Sequence, residues 1–119
     1  MPTETRTIQF ERDEIRAALI HYALRTEMRL PKETIDKVRV SENGGTVTFV
    51  YARQPDMKKP REINFTEQHV AAAVILYCRT HGFPLPREAE KILKPEGTGI
   101  AMMMRLVHDD SNPREAMAS

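Results

Sequence analysis

One cysteine, Cys78, stands among 119 residues. No internal disulfide can form, and a reducing, cytoplasmic setting is the natural expectation. Long apolar runs are missing as well. The longest, Val70 to Cys78, is less than half of the roughly 20 residues a membrane-spanning helix needs. The opening Met1 to Thr7 is polar and carries Glu4, unlike a signal peptide. A soluble chain without a membrane partner is expected. Neither charge dominates: 18 basic against 17 acidic side chains leave a formal +1. That excludes a broad field for gathering nucleic acid or anionic lipid, so any basic patch must be local. No phosphate-binding loop or nucleophile motif occurs. Cys78 and His81 alone sit at metal-ligand spacing, and a zinc site would need two further ligands. No catalytic residue, metal or cofactor is therefore expected.

What is present is an ordinary globular composition, 40% hydrophobic and 29% charged, enough for one domain with a core. Its main feature is internal similarity. Shifted by 55 positions, Ile8 falls on Ile63, Phe10 on Phe65, and Ala17, Ala18, Ile20 and Tyr22 on Ala72, Ala73, Ile75 and Tyr77. Leu30, Pro31 and Glu33 fall on Leu85, Pro86 and Glu88, and Gly44 on Gly99. These ten identities need no gap, where background composition would give roughly three. The spacing predicts a single domain over 1–119 made of two tandem copies: 6–52, a polar linker 53–60, 61–107, and a flexible tail 108–119.

Each copy reads as strand, helix and hairpin. Arg6–Phe10 and Arg61–Phe65 alternate polar and apolar residues, as a half-buried strand does. Thr66 is a good N-cap, with Phe65 and Val70 at hydrophobic-staple spacing; Phe10 and Ile15 repeat that spacing with Glu11 a poorer cap. Helices are predicted near 12–28 and 67–81, the second closed by Gly82 ahead of Pro84 and Pro86. Val38 and Val40 then lead through Asn43-Gly44 to Val47, Phe49 and Tyr51, a strong hairpin signal. Ile92 and Leu93 lead through Pro95–Gly99 to Met102, Met104 and Leu106, with Pro95 marking an irregular or edge strand. The expected fold is α+β: two βαββ repeats about a pseudo-two-fold axis, forming an antiparallel sheet with two helices on one face.

Two surfaces stand out. Ala71–Leu76 is apolar through more than one and a half turns, so the second helix needs cover on two sides. Its sister helix or a second chain would supply it, and a homodimer seam is expected near Ala71, Ala72, Ile75 and Cys78. Basic residues follow each helix: Arg25, Arg29 and Lys32, then Arg79, Arg87 and Lys91. Related by a pseudo-two-fold, they could contact a partner or two phosphates. Interleaved Glu27, Glu33, Asp36, Glu88 and Glu90 make a solvated mixed-charge rim the plainer reading.

The remaining candidates have bland readings. Cys78 lies in the apolar helix, where burial raises a thiol's pKa and makes it inert. His69 falls at N3 and should cap its helix or face solvent. His108-Asp109-Asp110 falls where the last strand gives way to the tail. Met102 and Met104 should enter the core, leaving Met103 toward the surface. The opening strand and helix are similar to the start of ribbon-helix-helix DNA-binding proteins, but a hairpin stands where that fold needs its second helix. The function expected is a non-enzymatic interaction module, self-associating and acting through a protein partner. The alternative is a nucleic-acid-binding accessory protein.

Overall fold

Each helix begins where a buried phenylalanine ends a strand and a capping residue follows. The computed structural model describes residues 2–42 and 45–108. Strand β1 (Thr3–Phe10) leads into α1 (Arg12–Arg25), β2 (Ile35–Val40) and β3 (Val47–Tyr51). Strand β4 (Glu62–Phe65) leads into α2 (Glu67–Thr80), β5 (Glu90–Glu96) and β6 (Gly99–Val107). At α2, Thr66 Oγ1 accepts from the His69 N–H at 3.2 Å, and His69 Nδ1 accepts from the Thr66 N–H at 3.4 Å. At α1, Glu14 Oε1 accepts from the Glu11 N–H at 2.9 Å. His69 is thus the capping residue expected at N3.

Both helices end in the same pair of crossed hydrogen bonds. Met28 N–H reaches Ala23 O and Glu27 N–H reaches Leu24 O; Phe83 N–H reaches Cys78 O and Gly82 N–H reaches Arg79 O. This Schellman arrangement puts Glu27 and Gly82 in the left-handed region, at φ 57° and 76°. The first helix stops at Arg25, three residues short of the expected 28: Pro31 sets only an outer limit, and the left-handed residue that closes the helix is a glutamate. The first strand also departs from expectation. It begins at Thr3, because Thr3, Glu4 and Thr5 pair with Val107, Leu106 and Arg105.

The architecture is α+β, with two separate antiparallel three-stranded sheets, β1-β6-β5 and β2-β3-β4, and two helices. This corrects the single sheet expected from sequence. The physical reason is an exchange: β1 pairs with the hairpin of the second half and β4 with that of the first. β5 is an edge strand, as Pro95 suggested. The Asn43-Gly44 turn and tail residues 109–119, with Asp109 and Asp110, lie outside the described residues. No helix is long and apolar enough to cross a membrane, among the described residues.

The registers of the two sheets differ by two residues. Val38 faces Phe49, but Leu93 faces Met102 rather than Met104. Phe65 faces Val47, but Phe10 faces Ile100 rather than Met102. Strand β6 has slid by two against both neighbours, through a two-residue turn at Gly97-Thr98. An even slip leaves every side chain on its own face. Met102 and Met104 accordingly stay buried with Ile100, while Met103 is half-buried on the outer face.

One core joins all layers. Phe10, Ile8, Leu93, Met102 and Met104 meet Val47, Phe49, Tyr51 and Phe65 beneath Ile15, Leu19, Val70, Val74 and Cys78. The helices run antiparallel: the Tyr22 ring lies 6.1 Å from that of His69, and Tyr77 Oη lies 3.5 Å from Glu14 Oε2. Each tyrosine near one helix end thus meets the N3 residue of the other helix. Ala18 and Ala73, both buried, lie midway along these rows and let the helices approach closely.

Candidate functional site

The cation-lined groove that best resembles a site lies between the first turns of α1 and edge strand β2. The pairs Ile35–Tyr51 and Lys37–Val50 leave Asp36 as an extra residue, a β-bulge. Beside it, Arg12 and Arg16 stand one helical turn apart. Together with Asp13, Ile35, Asp36, Lys37, Val38 and Arg39 they line an open groove of about 470 Å³. Ile35 and Val38 form its half-buried floor. Arg12 Nε donates to Thr98 O at 2.9 Å, tying the helix start to the β5–β6 turn. Arg39 is paired with Glu62 at 2.6 Å. Arg16 and Lys37 have no ion-pair partner among the described residues. A second open groove, also about 470 Å³, is bounded by Arg29, Leu30, Pro31, Arg61, Glu62 and Ile63. There Arg61 is held by Glu33 at 3.2 Å.

The basic residues singled out from sequence are not brought together. Arg25 is in the last turn of α1, with Arg29 and Lys32 in the loop beyond it. Arg79 is in the last turn of α2, with Arg87 in the next loop and Lys91 on β5. Because the helices are antiparallel, these groups lie at opposite ends of a pair about 21 Å long. Lys91 is further committed, its Nζ donating to Pro86 O and Ala89 O at 3.1 Å each. The residues expected at an association seam divide. Ala71, Ala72 and Ile75 are partly exposed, whereas Cys78 is fully buried. The helix seam within the chain runs instead through His69, Ala73 and Tyr77.

Cys78 is fully buried, and burial pushes its thiol up from the ordinary value. Exposed His81, the C-cap residue of α2, stacks on Tyr77 at 4.0 Å and donates Nδ1–H to Tyr77 O at 2.8 Å. Carboxylates of Glu11, Asp13 and Glu14 gather within 4.8 Å. They sit at the positive end of α1, where acidic groups are favoured, and Glu14 already accepts from Glu11 and Tyr77. His108 Nε2 contacts Glu4 Oε1 at 3.2 Å. Hydrogen bonds from Arg6 first, then His108, hold the Glu4 carboxyl below its usual range.

Sequence reasoning passed over Arg12, Arg16, Lys37 and Arg39. Their only local signals are an i, i+4 pair on a helix and an i, i+2 pair on a strand, which are common on solvated faces. The fold alone brings them to one groove. No family model matches the chain, and no curated protein or solved structure is significantly similar to it.

Proposed function

We propose that the chain is a non-enzymatic interaction module that self-associates and acts through a protein partner. The groove along β2 carries the reading. It has an apolar floor, four basic side chains against two acidic ones, and the open edge of a bulged strand. Those features suit an extended peptide segment bearing acidic side chains, which the cations attract while the apolar floor takes its apolar side chains. The nucleic-acid alternative draws less support, since the basic groups following the helices lie far apart. The buried free thiol is compatible with a cytoplasmic setting.

Also proposed is the origin of this surface from two tandem βαββ copies, 6–52 and 61–107, related by a pseudo-two-fold. The 55-residue offset supports it. So do the reciprocal contacts Tyr22–His69 and Tyr77–Glu14, which join positions related by the same offset.

Fluorescence anisotropy against a panel of extended acidic peptides, and separately against single- and double-stranded nucleic acids, tests the function. Salt-sensitive peptide binding that is lost in the double variant Arg16→Glu, Lys37→Glu is expected. Tight nucleic-acid binding with no peptide binding would overturn the reading.

A further inference from the structure

Three of the four open sheet edges are blunted against pairing. β5 carries Pro95 beside Lys94, β2 carries the Asp36 bulge with Lys37 and Arg39, and β4 is only four residues long. β1 has neither bulge nor proline, and its charged pair, Glu4 and Arg6, is of opposite sign and joined at 2.9 Å. It pairs with β6 residue for residue over eight positions.

The pairing also fixes which groups β1 leaves open. His108 N–H donates to Pro2 O at 2.8 Å, so Pro2 turns its carbonyl toward β6. Backbone direction alternates along an antiparallel ladder. Glu4, Arg6, Ile8 and Phe10 therefore bond to β6. Thr3, Thr5, Thr7 and Gln9 turn N–H and C=O outward, and all four are exposed.

We propose that this edge is a homodimer seam, in which β1 pairs antiparallel with β1 of a second copy about a two-fold axis through Thr5. This rests on the self-association reading above and gives it a place and a register. The two three-stranded sheets become one continuous six-stranded sheet. Thr3 faces Thr7 of the second copy, Thr5 faces Thr5, and the outward N–H and C=O groups of all three are satisfied on both chains. Glu4 faces Arg6 of the second copy, twice over. Neighbouring registers lack this match. Moving the axis to Glu4 sets glutamate against glutamate, and moving it to Arg6 sets arginine against arginine, both unfavourable. Moving it to Thr7 sets Arg6 against Ile8. Thr3-Glu4-Thr5-Arg6-Thr7 is thus complementary to itself in one antiparallel register.

Sedimentation equilibrium from about 1 μM to about 1 mM tests this, spanning the range of weak to moderate association. The full chain should pass from monomer to dimer. Thr5→Pro removes an N–H that β6 does not use, and should stay monomeric with its circular dichroism and melting little changed. Arg6→Glu opposes like charges and should weaken the dimer about tenfold. The double variant Glu4→Arg, Arg6→Glu restores the match and should recover it, which decides the matter even if the proline variant fails to fold. A dimer undiminished in Thr5→Pro and Arg6→Glu would overturn the β1 seam while leaving self-association standing. A chain monomeric throughout would overturn both.

Discussion

Glu27 and Gly82 occupy the same left-handed position at the ends of the two helices, yet only one is a glycine. A side chain there carries roughly 1 kcal/mol of strain or more. Glu27→Gly should therefore stabilise the chain by about 1 kcal/mol, less the added freedom of its unfolded state. Gly82→Ala should destabilise it by a similar amount. Urea midpoints at unchanged slope are the check, and a destabilised Glu27→Gly would show that the glutamate has a compensating contact. Tyr51 presents a different imbalance. Its ring is buried and its hydroxyl meets no hydrogen-bond partner among the described residues. An unsatisfied buried hydroxyl is a liability, so Tyr51→Phe should be neutral or stabilising by up to about 1 kcal/mol, unlike most core changes. Burial raises the pKa of this phenol and of the Cys78 thiol, the former with help from Glu33. Both groups therefore hold their protons more tightly folded than unfolded. The stability this contributes is fully present below the unfolded-state values. It is lost as pH rises from about 9 through the folded-state values. Denaturant midpoints should fall along this alkaline limb, and less steeply in the double variant Tyr51→Phe, Cys78→Ala. An unchanged slope would place the alkaline sensitivity elsewhere.

Like β3 in the other sheet, β6 pairs on both sides within its own sheet. Its first residue shows how closely it is fitted. A Cβ added at Gly99 would lie 2.0 Å from the Phe10 carbonyl oxygen, which is backbone and cannot swing aside. Gly99→Ala should thus cost about 3 kcal/mol or more, beyond ordinary overpacking, and read as a sharply lower melting temperature. Much at this scale was legible in the sequence. Thr66 announced α2, alternation announced β3, and Pro95 announced an edge. The apolar stripes named the buried faces, because helix and strand periods are local properties. What was not legible depends on contact between distant segments. Thr3–Thr5 offers β-branched residues but no apolar alternation, and pairing with Val107, Leu106 and Arg105 makes it a strand. Pro31 marks an outer limit for α1 but not its last turn, whose left-handed geometry falls on Glu27, a residue that does not favour it. The two-residue slide of β6 was hidden for a related reason, since an even slip changes partners while leaving the apolar pattern intact.

For the whole molecule, the decisive feature is the exchange of strands, which sequence patterns could not reveal. Alternation marks a strand but does not name its partner, and so one sheet was expected where the chain builds two. The candidate groove was illegible for the same reason: Arg16 and Lys37 come to line one groove only in the folded chain. The exchange also has a consequence for cooperativity. The β2–β3 hairpin has β4 as its third strand, and the β5–β6 hairpin has β1. Cutting the chain in the connection between Tyr51 and Glu62 therefore leaves each piece with a bare two-stranded hairpin, a lone strand and one helix. A two-stranded hairpin is marginal on its own, and each helix loses the seam that buries Ala18 or Ala73. Fragments 1–56 and 57–119 should each lack fixed structure alone. Mixed in equal amounts, they should recover the helix and sheet signals of the intact chain, because every ladder is then complete. The intact chain should unfold in one transition, with far-ultraviolet circular dichroism and tyrosine fluorescence coincident. If 57–119 folds by itself with a cooperative melt, its hairpin must have found another third strand, and the exchanged topology would be wrong.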